Sequence, residues 1–249
     1  MTLLAAVHAE WTKARTVRSL PMALLAYAVV VIGVSLGVVA GIGAGEAATP
    51  GYDAALLAFY GLNFGHVAVI VFAVLLTAGE YSRQTVHPSL VAVPRRGRFL
   101  AAKVVVGTAL VLAVAVPTAL LTLAGTQALL GSAAVGLGDP GVLRATLAAA
   151  LYPTLLAVFC MGVGMLLRDQ VAALGLLVPF FFLVTPVLEL IPGLRDVAVF
   201  LPDRAGQVAV RLHTRPIDQF GPGTGLAVLA LWALAGVLLA WWALRRRDA

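Results

Sequence analysis

An all-α integral membrane protein with six transmembrane helices is the fold class this chain predicts, on three observations. Of its 249 residues 61% are hydrophobic and 11% charged, whereas soluble domains carry about a quarter charged residues. The apolar residues gather in runs of roughly twenty, the helix length that crosses ~30 Å of hydrocarbon. The basic residues, finally, divide unevenly between the two sides of those runs.

The first element precedes the spans. MTLLAAVHAEWTKARTVRS places Leu4, Val7, Trp11 and Ala14 on one helical face, with Lys13 and Arg15 off it. This predicts an amphipathic helix over residues 1–19 lying in the membrane interface, with Trp11 at headgroup depth; a solvated leader is the alternative. The first apolar run begins near Leu20 and is too long for a signal peptide, with no cleavage pattern.

Six spans follow: Leu20–Ile42, Ala54–Ala78, Val104–Gly125, Leu147–Leu167, Val171–Ile191 and Leu226–Leu244. With the N-terminus inside, the inner segments hold Lys13, Arg15, Arg18, Arg83, Arg95, Arg96, Arg98, Lys103, Arg168, Arg245, Arg246 and Arg247, twelve of seventeen basic residues. That asymmetry places both termini in the cytoplasm, and an even number of spans satisfies it. Within the first span Gly33, Gly37, Gly41 and Gly45 recur every four residues, leaving one side flat for the close approach of another helix. GVSLG (residues 33–37) also has the GxSxG form of a hydrolase elbow, but it lies mid-span with no strand-to-helix turn.

Beyond the fifth span, residues 192–225 are long, charged and punctuated by Pro192, Pro202, Pro216 and Pro222. DVAVFLPDRAGQVAVRL within it is too apolar for an ordinary loop and too short and charged to cross. It predicts short outer re-entrant or interfacial helices. No repeat or low-complexity linker divides the chain, so residues 1–249 form one membrane domain.

Several chemistries are excluded. A P-loop needs GxxxxGK[ST], and the only lysines, Lys13 and Lys103, follow Thr12 and Ala102. HExxH is absent, the four histidines are scattered, and Cys160 is alone, so no catalytic residue, cofactor site or metal site is expected. The basic excess of +6 suits a positive-inside membrane protein rather than nucleic-acid binding. Ionisable groups are scarce in the spans. Asn63 and His66 lie in the second, and Glu189 stands near the outer end of the fifth, where it either takes part in an outer gate or substrate site or bonds backbone freed by Pro186 and Pro192.

The remaining segment is the loop 80–103, EYSRQTVHPSLVAVPRRGRFLAAK. Thr85 is a good N-cap, and Val86, Leu90 and Val93 share one face of a short helix that Pro94 stops. Arg95, Arg96 and Arg98 then form a basic turn leading through Lys103 into the third span. An apolar stripe of this kind either lies on anionic lipid or fills a groove in a protein.

Three stretches resemble the membrane permease subunits of type-2 ATP-binding-cassette (ABC) exporters: AEWTKARTVRS, the loop just quoted, and FLPDRAGQVAV. The loop is the most specific, looking like the family's pattern in Glu80, Thr85, Leu90, Pro94, Arg96 and Lys103. It departs from that pattern at Gln84, where many relatives have Gly, and in His87-Pro88. The resemblance implies that the loop is a cytoplasmic coupling helix docking into a separate ATPase subunit, with ATP and Mg held there and none on this chain. Groove contacts would come from Thr85, Val86, Leu90 and Val93, and rim contacts from Arg83, Arg95 and Arg96, with Glu80 pinning the helix through inner charges. It also implies a second permease subunit, identical or not, meeting the first and fifth spans near the glycine ladder.

The function expected is thus a non-enzymatic permease subunit of an ATP-driven exporter in a bacterial inner membrane. An ATP-independent secondary transporter or channel, or a non-transporting assembly or immunity factor, is the alternative. A hydrophobic or amphipathic cargo is mildly favoured.

Overall fold

Thr2 opens the first helix, its Oγ1 accepting from the amide of Ala5, and α1 (Leu3–Thr16) closes with Lys13 and Arg15 in its last turn, where cations complement the helix dipole. The structure, a computed structural model, describes residues 2–47, 49, 51–82, 95–191, 193–214 and 218–246. The face α1 buries is distinct from the one bearing Leu4 and Trp11. Ala6, Glu10 and Ala14 turn inward, while Leu4 is 81% exposed and Trp11 is also exposed. Glu10 sets that roll, as described below.

Six helices among the described residues are long and apolar enough to cross a membrane, and the chain is a polytopic all-α membrane protein. Spans 1 to 4 are α2 (Ser19–Ala47), α4 (Leu62–Ser82), α5 (Arg96–Leu130) and α6 (Val142–Leu167). Between the first two lies the short α3 (Ala54–Ala58). Span 5 is built from α7 (Gln170–Pro179), a π-helical turn (Phe180–Val184) and α8 (Thr185–Leu190). Two short helices, α9 (Arg195–Ala198) and α10 (Pro202–Val210), precede span 6, α11 (Pro222–Arg246).

Two boundaries differ from expectation. The stretch expected to open span 2 at Ala54 is the separate α3, capped by Asp53, and the chain turns before Leu62. A Cβ on Gly61 would fall 2.2 Å from the Val31 carbonyl oxygen, and the Gly61 amide donates to Ser35 Oγ at 3.0 Å. The break therefore seats this backbone directly on span 1. Similarly, Arg96–Arg98 are not a basic turn but the first turn of the 35-residue α5, with Arg95 as N-cap. The Arg96 guanidinium donates to the Leu244 carbonyl, one of the last carbonyls of α11 that lack an intrahelical partner. The expected coupling residues Arg83, Thr85, Val86, Leu90, Val93 and Pro94 lie outside the described residues.

Spans 2 and 4 form the centre, each 67% buried over its apolar window, against 22% for span 5. Span 6 lies along span 4, and their backbones meet at two glycines. A Cβ on Gly162 would stand 2.3 Å from the carbonyl carbon of Gly236, an approach only glycine permits. Span 4 ends at Arg168 in the left-handed conformation, φ 58°, and the Asp169 side chain caps α7 by accepting from the Ala172 amide. Spans 4 and 5 thus join through a tight turn.

The glycine ladder behaves differently. A Cβ at Gly33, Gly37, Gly41 or Gly45 meets no atom within 4 Å, so this flat strip faces away from the rest of the described chain. The contrast is testable. Gly162→Ala should lose about 1–3 kcal/mol to overpacking and lower the thermal midpoint of the purified protein by several degrees. Gly37→Ala should leave the monomer's midpoint unchanged or slightly raised, because alanine is the better helix former.

Candidate functional site

Two groups of polar side chains stand out in so apolar a molecule, one at each end of the bundle. The first gathers both of the chain's lysines. Lys103, near the start of α5, is fully buried. Its Nζ donates to Glu10 Oε2 at 2.9 Å, Glu80 Oε1 at 2.8 Å and the Leu76 carbonyl at 3.1 Å, which satisfies all three ammonium donors. Lys13 completes a quartet, 2.7 Å from Glu10 Oε1 and 2.9 Å from Glu80 Oε1.

The electrostatics are those of a closed set. Burial works to raise the carboxyl pKa of Glu10, but Lys103 and Lys13 outweigh it and hold it below the usual carboxylate range. Burial likewise works to lower the pKa of Lys13, and the attraction of Glu10 and Glu80 reverses it. The Glu10 contribution is therefore present at neutral pH and lost only as acid takes pH down through its depressed value. Two positive and two negative groups bind α1 to the end of span 2 and the beginning of span 3, the two flanks of the loop 83–94.

Of the residues predicted for coupling, Glu80 and Arg96, and of those predicted for the interface helix, Lys13, make contacts between helices of this chain. Trp11 and Arg15 stay on the exposed side of α1, and Arg95 is exposed. Sequence reasoning missed Glu10. Its signal was a carboxylate three residues before Lys13, on a helix otherwise apolar or basic.

Replacing Lys103 with Met should leave the buried Glu10 and the partly buried Glu80 to share Lys13 and cost about 3 kcal/mol, the low end for breaking a buried ion pair. Combining Lys103→Met with Glu10→Gln should recover part of that loss. A double-mutant cycle on thermal or denaturant midpoints gives the coupling, and simple additivity would contradict the clamp.

At the opposite end, α10 packs against spans 4 and 6, where a Cβ on Gly225 would stand 2.5 Å from the Ala205 carbonyl oxygen, and side-chain bonds reach spans 2 and 5. The ring of Tyr152 lies so close to Gly206 that a Cβ there would come within 2.1 Å of it. The Tyr152 hydroxyl donates to the Asp203 carbonyl at 2.8 Å, and Arg144 of span 4 donates to the carbonyls of Ala209 and Arg211. Thr185 Oγ1 donates to Asp203 Oδ1 at 3.1 Å, joining α10 to span 5. Gln207 donates to Asn63 Oδ1 at 3.0 Å and accepts from Arg204 at 2.7 Å, joining it to span 2. Asp53 holds α3 against the segment after α10: Oδ1 accepts from Ala55 and Leu56, Oδ2 from Leu212 and His213.

These elements enclose a cavity of about 990 Å³ bounded by α3, α10 and the adjoining ends of spans 1, 2 and 5. Asn63 and His66 line it, which sequence alone could not place. The backbone of Glu189 falls in α8, and its side chain lies outside the described part. Among the described residues no group of three histidine, cysteine or carboxylate side chains has metal-site geometry.

No protein-family model and no curated protein matches this chain. The geometry has to carry the functional reading.

Asp203 supplies a measurable marker of this end. It is 4% exposed, and burial pushes its carboxyl pKa up to about 6 against the opposing pull of Arg204 and Thr185. A carboxyl whose folded pKa is raised contributes stability below its unfolded value and loses it as pH rises through the folded one. Asp203→Asn should therefore gain stability relative to wild type as pH rises from 4 to about 6, with the difference constant above. Thermal midpoints of the two proteins across that range check it, and a gap that does not change with pH would contradict it.

Proposed function

We propose that this chain is the membrane-spanning permease subunit of an ATP-driven exporter of the ABC type. It would lie in a bacterial plasma membrane with both termini cytoplasmic, α1 along the inner surface, and α9 and α10 as the outer re-entrant segment. The observation that carries the reading is the quartet of Glu10, Lys13, Glu80 and Lys103. It fastens α1 to both flanks of the loop 83–94, so a load applied to that loop passes into spans 2 and 3 without being absorbed by a loose N-terminal helix. This mechanical continuity is what a coupling loop needs.

The chain itself has no nucleotide motif, and the energy enters from a separate cytoplasmic ATPase that binds ATP and Mg. Closure of two ATPase subunits shifts the spans through differential contacts in the two states. The open glycine strip of span 1 suits a second permease subunit packed against it, because small residues let backbones approach in lipid. In this reading Thr85, Val86, Leu90 and Val93 supply the apolar contacts with the ATPase, and Arg83 and Arg95 the charged rim, with Arg96, expected there too, engaged by the Leu244 carbonyl.

Leu90→Asp should leave the protein in the membrane and abolish most of the stimulated ATPase of the reconstituted permease–ATPase pair. Normal stimulation in that variant would refute the docking role, and cargo flux by the chain alone under a pH gradient would point to a secondary transporter.

A further inference from the structure

We propose that the cavity under α10 is a binding site for an uncharged amphipathic molecule: an aromatic or fused-ring body carrying two or more hydroxyl or carbonyl groups. Its volume of about 990 Å³ lies at the upper end of the ~300–1,000 Å³ typical of small-molecule sites. As a statement about cargo the inference rests on the exporter reading; as a statement about binding it stands alone.

The walls divide by chemistry. Tyr60 and Phe64, with ring centroids 6.2 Å apart, and Phe182 of the π turn present aromatic surface that is 40–47% exposed. Aromatic faces of this kind accept flat apolar bodies. The amide groups of Asn63 and Gln207 also belong to the lining.

The charges of the wall are already compensated. Asp53 accepts from four backbone amides. Asp203 accepts from Thr185 and lies beside Arg204, and Arg211 pairs with Asp218. Glu46 is the remaining carboxylate of the lining, and it is exposed. A charged head entering this site gives up its hydration without meeting a buried counter-charge, whereas a hydroxyl or carbonyl does not face that penalty.

Two buried polar atoms point to the ligand's groups. His66 is 3% exposed and lines the cavity. Its ring packs edge-on against Tyr152 at 4.5 Å, and its Nε2 has no hydrogen-bond partner among the described residues. The hydroxyl of Tyr52, also in the lining, is buried and has none either. Buried polar groups in proteins are otherwise almost always bonded. An imidazole nitrogen and a phenol together recognise neutral donors and acceptors.

The test uses the full-length protein in nanodiscs of zwitterionic lipid. The neutral probes are tritiated estradiol and podophyllotoxin, the cation rhodamine 6G and the anion 8-anilinonaphthalene-1-sulfonate. Saturable binding of at least one neutral probe is expected, tighter than for either ion. Tyr52→Phe and His66→Phe should each weaken it by about five- to tenfold, the loss of one hydrogen bond. Leu231→Ala, on the exposed side of span 6, should leave it unchanged. If His66→Phe fails to fold, Tyr52→Phe removes a single oxygen and decides alone. Tighter binding of a charged probe, no saturable binding of either neutral one, or affinities indifferent to the folded variants would overturn the assignment. These readouts involve no ATPase, so failure here with stimulation intact rejects the ligand class and spares the exporter reading, and the reverse pattern does the opposite.

Discussion

A lysine with no solvent exposure, Lys103, is the constraint on which one end of this molecule depends. An ammonium ion buried without partners would cost several kcal/mol, so the fold has to bring it compensation. Glu10 comes from a helix 93 residues earlier in the chain and Glu80 from the end of span 2. The same requirement fixes the roll of α1, because only the face bearing Glu10 can turn inward. That leaves Trp11 exposed, with Lys13 half-buried. An electrostatic debt of one side chain thereby becomes the mechanical attachment of a whole helix.

The spans were legible because the bilayer dictates their length and composition, and no tertiary detail can change that. The separate α3 was not, since its break depends on Gly61 meeting the backbone of span 1, a contact between residues distant in sequence. The start of α5 was hidden because an Arg-Gly-Arg run resembles a turn. Arg96 instead continues the helix and closes an end of span 6. The roll of α1 was not legible, because it rests on a single carboxylate, Glu10, whose partner Lys103 lies 93 residues away.

The cavity could not have been found in the sequence, because it is assembled from five separate elements. Asn63 and His66 were visible as oddities in an apolar span, without any indication of what they faced. The π turn at Phe180–Val184 is equally tertiary in its meaning. Three successive phenylalanines offer no period that would separate Phe181, buried against Phe159, from Phe182, which stays exposed, although both line the cavity. The wider turn, following directly on Pro179, makes that distribution possible.

The bonds that seat α10 are unequal in kind. To span 4 it gives up backbone carbonyls, received by the guanidinium of Arg144 and the hydroxyl of Tyr152, with Gly206 laid flat on the tyrosine ring. To spans 2 and 5 it is joined by side-chain bonds, the neutral amide pair of Gln207 and Asn63 and the Thr185 hydroxyl on the Asp203 carboxyl. α10 also lies directly on the start of span 6, where a Cβ on Gly225 would stand 2.5 Å from the Ala205 carbonyl oxygen, and spans 4 and 6 meet at the Gly162–Gly236 crossing, so α10 and these two spans form one packed block. The edge of the cavity roof toward span 2 is held by the neutral Gln207–Asn63 pair, a weaker tie than the guanidinium of Arg144 gives it toward span 4.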